Sequence, residues 1–122
     1  MITGVHGLIY TEDTEGVRAF FRDVLGFAHV DAGDGWLIFA LPPAELGVHP
    51  SGGNGVGSGG HQLFLMCDDI AATVAELEGR GVTFAQPPTD EGFGIVAVMR
   101  IPGDGTLGIY QPHHPTALGL TP

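Results

Sequence analysis

The chain has no lysine and only four arginines, Arg18, Arg22, Arg80 and Arg100, against 14 acidic residues, leaving a formal charge of −10 over 122 residues. Such a surface repels phosphate backbones and anionic lipid headgroups, which argues against nucleic acid as a partner. Cysteine is nearly absent as well. The single Cys67 cannot close an internal disulfide and lies in an apolar segment, so a reducing compartment and a packing role are expected. No apolar run approaches the ~20 residues of a membrane span, and Met1-Ile2-Thr3-Gly4 brings neither a basic segment nor a long apolar one. The expectation is a cytoplasmic protein with no membrane contact. Nucleophilic catalysis lacks its parts too, because there is no Gly-x-Ser-x-Gly elbow and Cys67 has no neighbouring cation to activate it.

What the chain has instead is glycine, 21 residues of it, and a pattern stated twice with a period of about 56 residues. His6-Gly7-Leu8-Ile9-Tyr10-Thr11-Glu12-Asp13 opens an apolar alternating segment that leads into an amphipathic helix ending at Leu25-Gly26. Gln62-Leu63-Phe64-Leu65-Met66-Cys67-Asp68-Asp69 opens another, whose helix ends at Arg80-Gly81. The halves close on similar phrases, Leu46-Gly47-Val48-His49-Pro50 and Leu107-Gly108-Ile109-Tyr110-Gln111-Pro112. At this length each half alone would be marginal, so residues 1–122 are expected to form one domain. Module one runs from about 2 to 50, a flexible linker (SGGNGVGSGG) covers 51–60, module two runs from about 61 to 112, and 113–122 is a tail without pattern.

Within module one a strand is expected over 2–11, then a helix whose Val17, Phe20, Phe21, Val24 and Leu25 recur on one face, capped by Asp13 or Thr14 and stopped by Gly26. Strands follow near 27–31, from Trp36 to Leu41 after the Gly33-Asp34-Gly35 turn, and from Glu45 to His49. Module two repeats the plan with a strand at 62–67, a helix over about 69–79, a strand near 82–85, a Pro-rich turn, a strand over 94–101 and another from Leu107 to Gln111. The fold class is α+β, two tandem βαβββ modules with cupped mixed sheets. Gly55-Val56-Gly57-Ser58-Gly59-Gly60 matches G-x-G-x-x-G but precedes a strand, where a dinucleotide fingerprint must open a helix.

Taken in order, Val5-His6 seven residues ahead of Asp13, Phe20-Phe21, Leu25-Gly26-Phe27, Cys67-Asp68-Asp69-Ile70, Gly92-Phe93-Gly94 and the closing Asp104 to Pro112 resemble the vicinal oxygen chelate superfamily. That group contains glyoxalase I, extradiol dioxygenases, fosfomycin-resistance enzymes and bleomycin-resistance proteins, and the resemblance spans residues 2 to 112. It implies strands curled into a cup and, in the enzymes, a divalent metal such as Mn, Fe, Ni or Zn acting as a Lewis acid. His6 stands at the family's first ligand position. The equivalent place in module two holds Gln62 with His61 beside it, and the carboxylate usual in the last strand is replaced by Gly108.

A metal normally wants three or more converging protein ligands, and the remaining candidates are His6, Glu45, His49, His61 or Gln62, and Gln111. The expectation is therefore no metal, with His6 a hydrogen-bonded pocket residue and His113-His114 solvated. Aromatic residues on several strands, Tyr10, Trp36, Phe39, Phe64, Phe93 and Tyr110, read first as core and second as the lining of a cup. Glycines 47 and 108 leave room for a flat group near the backbone. The combined reading is a homodimeric protein that reversibly binds a small apolar or aromatic molecule, as in antibiotic resistance by sequestration, at His6, Tyr10, Trp36, Phe39, Gly47, Gln62, Phe64, Phe93, Gly108 and Tyr110. The alternative is a metal-dependent lyase or dioxygenase of the glyoxalase I or extradiol type.

Overall fold

The computed structural model describes residues 6–48, 50 and 57–120. Asp13 opens the first helix, α1 (Thr14–Ala19), by accepting a hydrogen bond from the Gly16 amide at 2.9 Å. The helix widens into a π-helical stretch over Phe20–Val24, in which the Leu25 amide donates to the Phe20 carbonyl. Gly26 at φ +70 then ends it. The next two strands, β1 (His29–Asp31) and β2 (Leu37–Phe39), pair antiparallel across a tight turn in which Gly33, Asp34 and Gly35 all have positive φ.

Module two is a complete βαβββ unit. β3 (Phe64–Met66) leads to α2 (Ile70–Gly79), capped by Asp69, and then to β4 (Phe84–Asp90), β5 (Gly94–Ile101) and β6 (Gly105–Pro112). The sheet order is β3-β6-β5-β4, with β3 parallel to β6 and the other neighbours antiparallel. Pro87 and Pro88, expected in a turn, lie instead inside β4. They are tolerated there because β4 is an edge strand whose register slips between Phe84 and Gln86 and again between Gln86 and Thr89, so the missing amides break no regular ladder.

Module one departs further from its pattern. Of the strand expected over 2–11, residues 2–5 lie outside the described residues, and 6–10 join no ladder. Of the strand expected from Glu45 to His49, Glu45 to Val48 are likewise unpaired, and His49 lies outside the described residues. The physical reason is that alternation encodes which face a side chain takes, whereas a strand exists only where a second edge supplies hydrogen bonds.

One core serves both modules. Val17, Phe20 and Phe21 from the first helical segment meet Ile70, Val74 and Leu77 of α2 on the face of the four-stranded sheet that carries Ala97, Met99, Ile101, Leu107 and Ile109. Ala97 and Met99 are fully buried. The start of α1 is held close to the β5–β6 turn: a side chain at Gly103, which has φ +80, would strike the Thr11 hydroxyl. Among the described residues no helix is long and apolar enough to cross a membrane.

Candidate functional site

Because odd-numbered residues of β5 and β6 enter the core, Val96, Val98, Gly108 and Tyr110 turn to the opposite face of the sheet. The register sets Val98 beside Gly108 and Val96 beside Tyr110, and the parallel pairing brings Phe64 beside Gly108. The Phe64 ring lies over the Gly108 backbone, and a Cβ at that glycine would collide with it. Gly94 is constrained in the same way by the Tyr110 ring. Two strand glycines thus let two aromatic rings lie close against the sheet.

Tyr110 is the centre of this face. Its ring centroid lies 5.8 Å from those of Phe64, Phe93 and His114. Its hydroxyl donates to the Phe93 carbonyl at 3.2 Å. Partial burial raises the phenol pKa, and the nearby Glu45 carboxylate raises it further, so the group stays a neutral donor. Beside this cluster an open cavity of about 310 Å³ is lined by Ile9, His61, Gln62, Phe64, Val98, Thr106 and Gly108. Phe64 is the wall shared by the cavity and the aromatic cluster.

The sequence candidates therefore divide. Gln62, Phe64, Phe93, Gly108 and Tyr110 fall at the cavity or the cluster, together with His61. Phe39 packs on Phe21 and His29 on the core side. Trp36 is 58% exposed and stacks under the Arg18 guanidinium, 4.9 Å from the ring centroid. His6, Gly47 and Tyr10 are exposed, Tyr10 at 90%, and line neither of the two cavities described. Gly94, Val98, Thr106 and Ile9 also belong to this region and are not among the residues expected from the sequence. Strand alternation counted from the core residue Leu107 would have put Thr106 on the open face with Gly108 and Tyr110.

A second cavity, of about 210 Å³, lies on the helix side between Leu25, Phe27 and Pro42 of module one and Leu65, Cys67, Thr73, Leu77 and Arg80 of module two. Burial is the main cause that raises the Cys67 thiol pKa, with Asp68 and Asp69 adding to it against a hydrogen bond from Thr73. A thiol pushed in that direction is a poor nucleophile, in keeping with its expected packing role.

Comparison with known proteins decides the family. The family model described as Glyoxalase/Bleomycin resistance protein/Dioxygenase superfamily matches residues 4–107. The chain belongs to this superfamily. Similar superfamily folds include TnmS3, an antibiotic binding protein from Streptomyces sp. CB03234, at 24% identity and TM-score 0.63, covering 91% of this chain and 97% of that one. Lactoylglutathione lyase from Agrobacterium tumefaciens is similar at 16% identity and TM-score 0.62, covering 89% and 92%. A superfamily member from Sphaerobacter thermophilus DSM 20745 follows at 21% identity and TM-score 0.59, covering 90% and 98%. No curated protein matches the chain. At these identities the solved structures establish the fold alone.

The donor set suits the superfamily's metal poorly. Gly108 offers no donor, and the Phe64 ring fills the space a side chain there would need. Gln111, on the other parity of β6, points to the helix side, where its Oε1 accepts from the Ile70 amide at 2.8 Å and helps satisfy the start of α2. The Glu45 carboxylate accepts from the Ala117 amide at 3.2 Å. Among the described residues no three His, Cys, Asp or Glu side chains come together, so His6, His61 and Glu45 do not form a ligand group.

His113 and His114, expected to be solvated, are both exposed, and each also has a partner. His113 Nε2 lies 3.3 Å from Asp90 Oδ2, and the His114 imidazole lies on Tyr110. No periodicity could have shown this, because the contacts reach back from the tail to β4 and β6.

Proposed function

We propose that this chain is a metal-independent binding protein that takes a small apolar or aromatic molecule, with antibiotic sequestration as its purpose, at the face formed by Phe64, Phe93 and Tyr110 and the adjoining cavity. The observation that carries the reading is the Phe64 ring lying over Gly108. Where a coordinating carboxylate would stand, the chain presents a flat apolar surface, and the hydrogen-bonding Tyr110 hydroxyl and the Gln62 amide supply orientation without charge. The likeness in fold to an antibiotic binding protein supports the reading as analogy only.

The working form is a homodimer in the cytoplasm. Support comes from the apolar residues that a single chain leaves open in module one, where Leu46 is 91% and Val48 93% exposed and neither belongs to a ladder. A second copy of the chain offers matching segments and an edge of β3 that, among the described residues, have no ladder partner, as a two-fold interface requires. Light scattering on the purified protein is expected to give the dimer mass, and Leu46→Asp with Val48→Asp to shift it to the monomer.

The direct test is metal analysis and ligand binding on protein purified without a His tag. Substoichiometric metal and saturable binding of planar aromatic compounds, weakened at least tenfold by Phe64→Ala with Tyr110→Ala, are expected. Stoichiometric metal that disappears in His6→Ala would overturn the reading in favour of a lyase or dioxygenase.

A further inference from the structure

Tyr110 carries three aromatic neighbours, and they do not approach it alike. Phe64 and Phe93 are tilted by 51° and 49°, whereas His114 is tilted by only 34°, nearest to a stacked arrangement. His114 is exposed and belongs to the tail, not to the sheet. The tail itself is pinned at separate points around the aromatic face. The His113 amide donates to the Phe93 carbonyl at 3.0 Å, the His113 ring meets Asp90, and the Ala117 amide donates to Glu45 of module one. The chain after β6 therefore crosses the Tyr110 end of the candidate site, from the β4–β5 loop to module one.

We infer that this tail is a self-competing strap, in which His114 occupies the Tyr110 face that a planar guest would take, so that guest binding requires the tail to lift. The inference rests on the aromatic-face reading above. The side-chain attachments are built to release: the His113–Asp90 pair and the Glu45 contact lie at the surface, where such interactions are weak, and no strap residue belongs to the buried core, while the hydrogen bond from the His113 amide to the Phe93 carbonyl keeps the base of the strap in place. A strap closed most of the time reduces apparent affinity by the fraction of molecules that are open. For one aromatic ring contact that reduction is roughly two- to tenfold. The strap thus sets a threshold that rejects small or weakly stacking molecules and admits those whose flat surface outcompetes an imidazole.

The experiment titrates Nile red, an uncharged planar dye, into the full chain and its His114→Ala and His114→Trp variants, following dye fluorescence. His114→Ala is expected to bind the dye two- to tenfold more tightly and His114→Trp more weakly than the parent, with the melting temperature slightly lowered in the first and slightly raised in the second, as the loss or gain of one ring contact requires. Hydrogen exchange on the parent supplies a second readout, with the amides of residues 113–120 exchanging faster when dye is bound. Equal or weaker binding by His114→Ala, or tail protection that rises with dye, overturns the strap while leaving the aromatic-face reading intact. Saturable binding by none of the three forms overturns the aromatic-face reading, and the strap falls with it.

Discussion

Module two and module one carry the same sequence plan and reach different degrees of order. In module two β5 and β6 pair without interruption from Gly94 with Pro112 to Ile101 with Gly105, and alternate residues, Ala97, Met99, Ile101, Leu107 and Ile109, enter the core. In module one, among the described residues, the pairing runs only from His29 with Phe39 to Asp31 with Leu37, and all of β1 is exposed. Both modules have a capped helix and a glycine turn. What separates them is the partner edge: β6 has neighbours on both sides, while the outer segments of module one have none within the chain among the described residues. Local pattern places a residue on a face, and only a long-range partner turns that face into a strand.

The largest expected effect would break this comparison at the core. Met99→Ala removes a fully buried side chain and is expected to cost about 2–5 kcal/mol, while Val30→Ala in exposed β1 should stay within about 0.5 kcal/mol. Urea denaturation of both variants checks this, and a Val30 effect as large as that of Met99 would erase the distinction between the modules.

The matched glycines sharpen it next. Gly108→Ala drives a methyl group into the Phe64 ring and is expected to destabilise by about 1–3 kcal/mol, whereas Gly47→Ala enters open space and should change stability by less than about 0.5 kcal/mol. Thermal melts of the two single variants suffice. The helix caps, by contrast, should behave alike, since Asp13 and Asp69 each accept from an amide three residues on. Replacing either with alanine is expected to cost about 1 kcal/mol, read by denaturant titration.

The smallest effect is a pH dependence at the tail. The Gly92 amide first, and His113 second, hold the Asp90 carboxyl below its ordinary pKa. The folded state therefore favours the carboxylate, so its contribution is complete above roughly pH 4 and disappears as pH falls through the lowered value. Melting temperature measured from pH 7 to pH 2 should fall slightly more steeply for the parent than for Asp90→Asn, and parallel curves would show that the contact contributes nothing.

Much of the fold was legible. Capping by Asp13, the stop at Gly26, the Gly33-Asp34-Gly35 hairpin and strands β5 and β6 follow from local chemistry and periodicity, whereas β4 runs on through the prolines expected in a turn. The site was legible in part. Gly108 lacks a carboxylate and Phe64 and Tyr110 lie on its face, whereas the stacking of Trp36 with Arg18 of α1 leaves no local signature in the sequence. Alternation from Gly108 puts Gln111, a metal candidate by sequence, on the helix side.

The sequence by itself determined the helices, the turns, which face each strand residue takes, and the lack of a carboxylate at position 108, because each of these depends on residues a few positions apart. The tertiary structure alone decided that Phe64 covers Gly108, that Gln111 serves the start of α2 and that the tail brings His113 to Asp90. Those contacts join residues up to 44 positions apart, from Phe64 to Gly108, and depend on which edges and faces meet after the chain has folded. No periodicity records that choice.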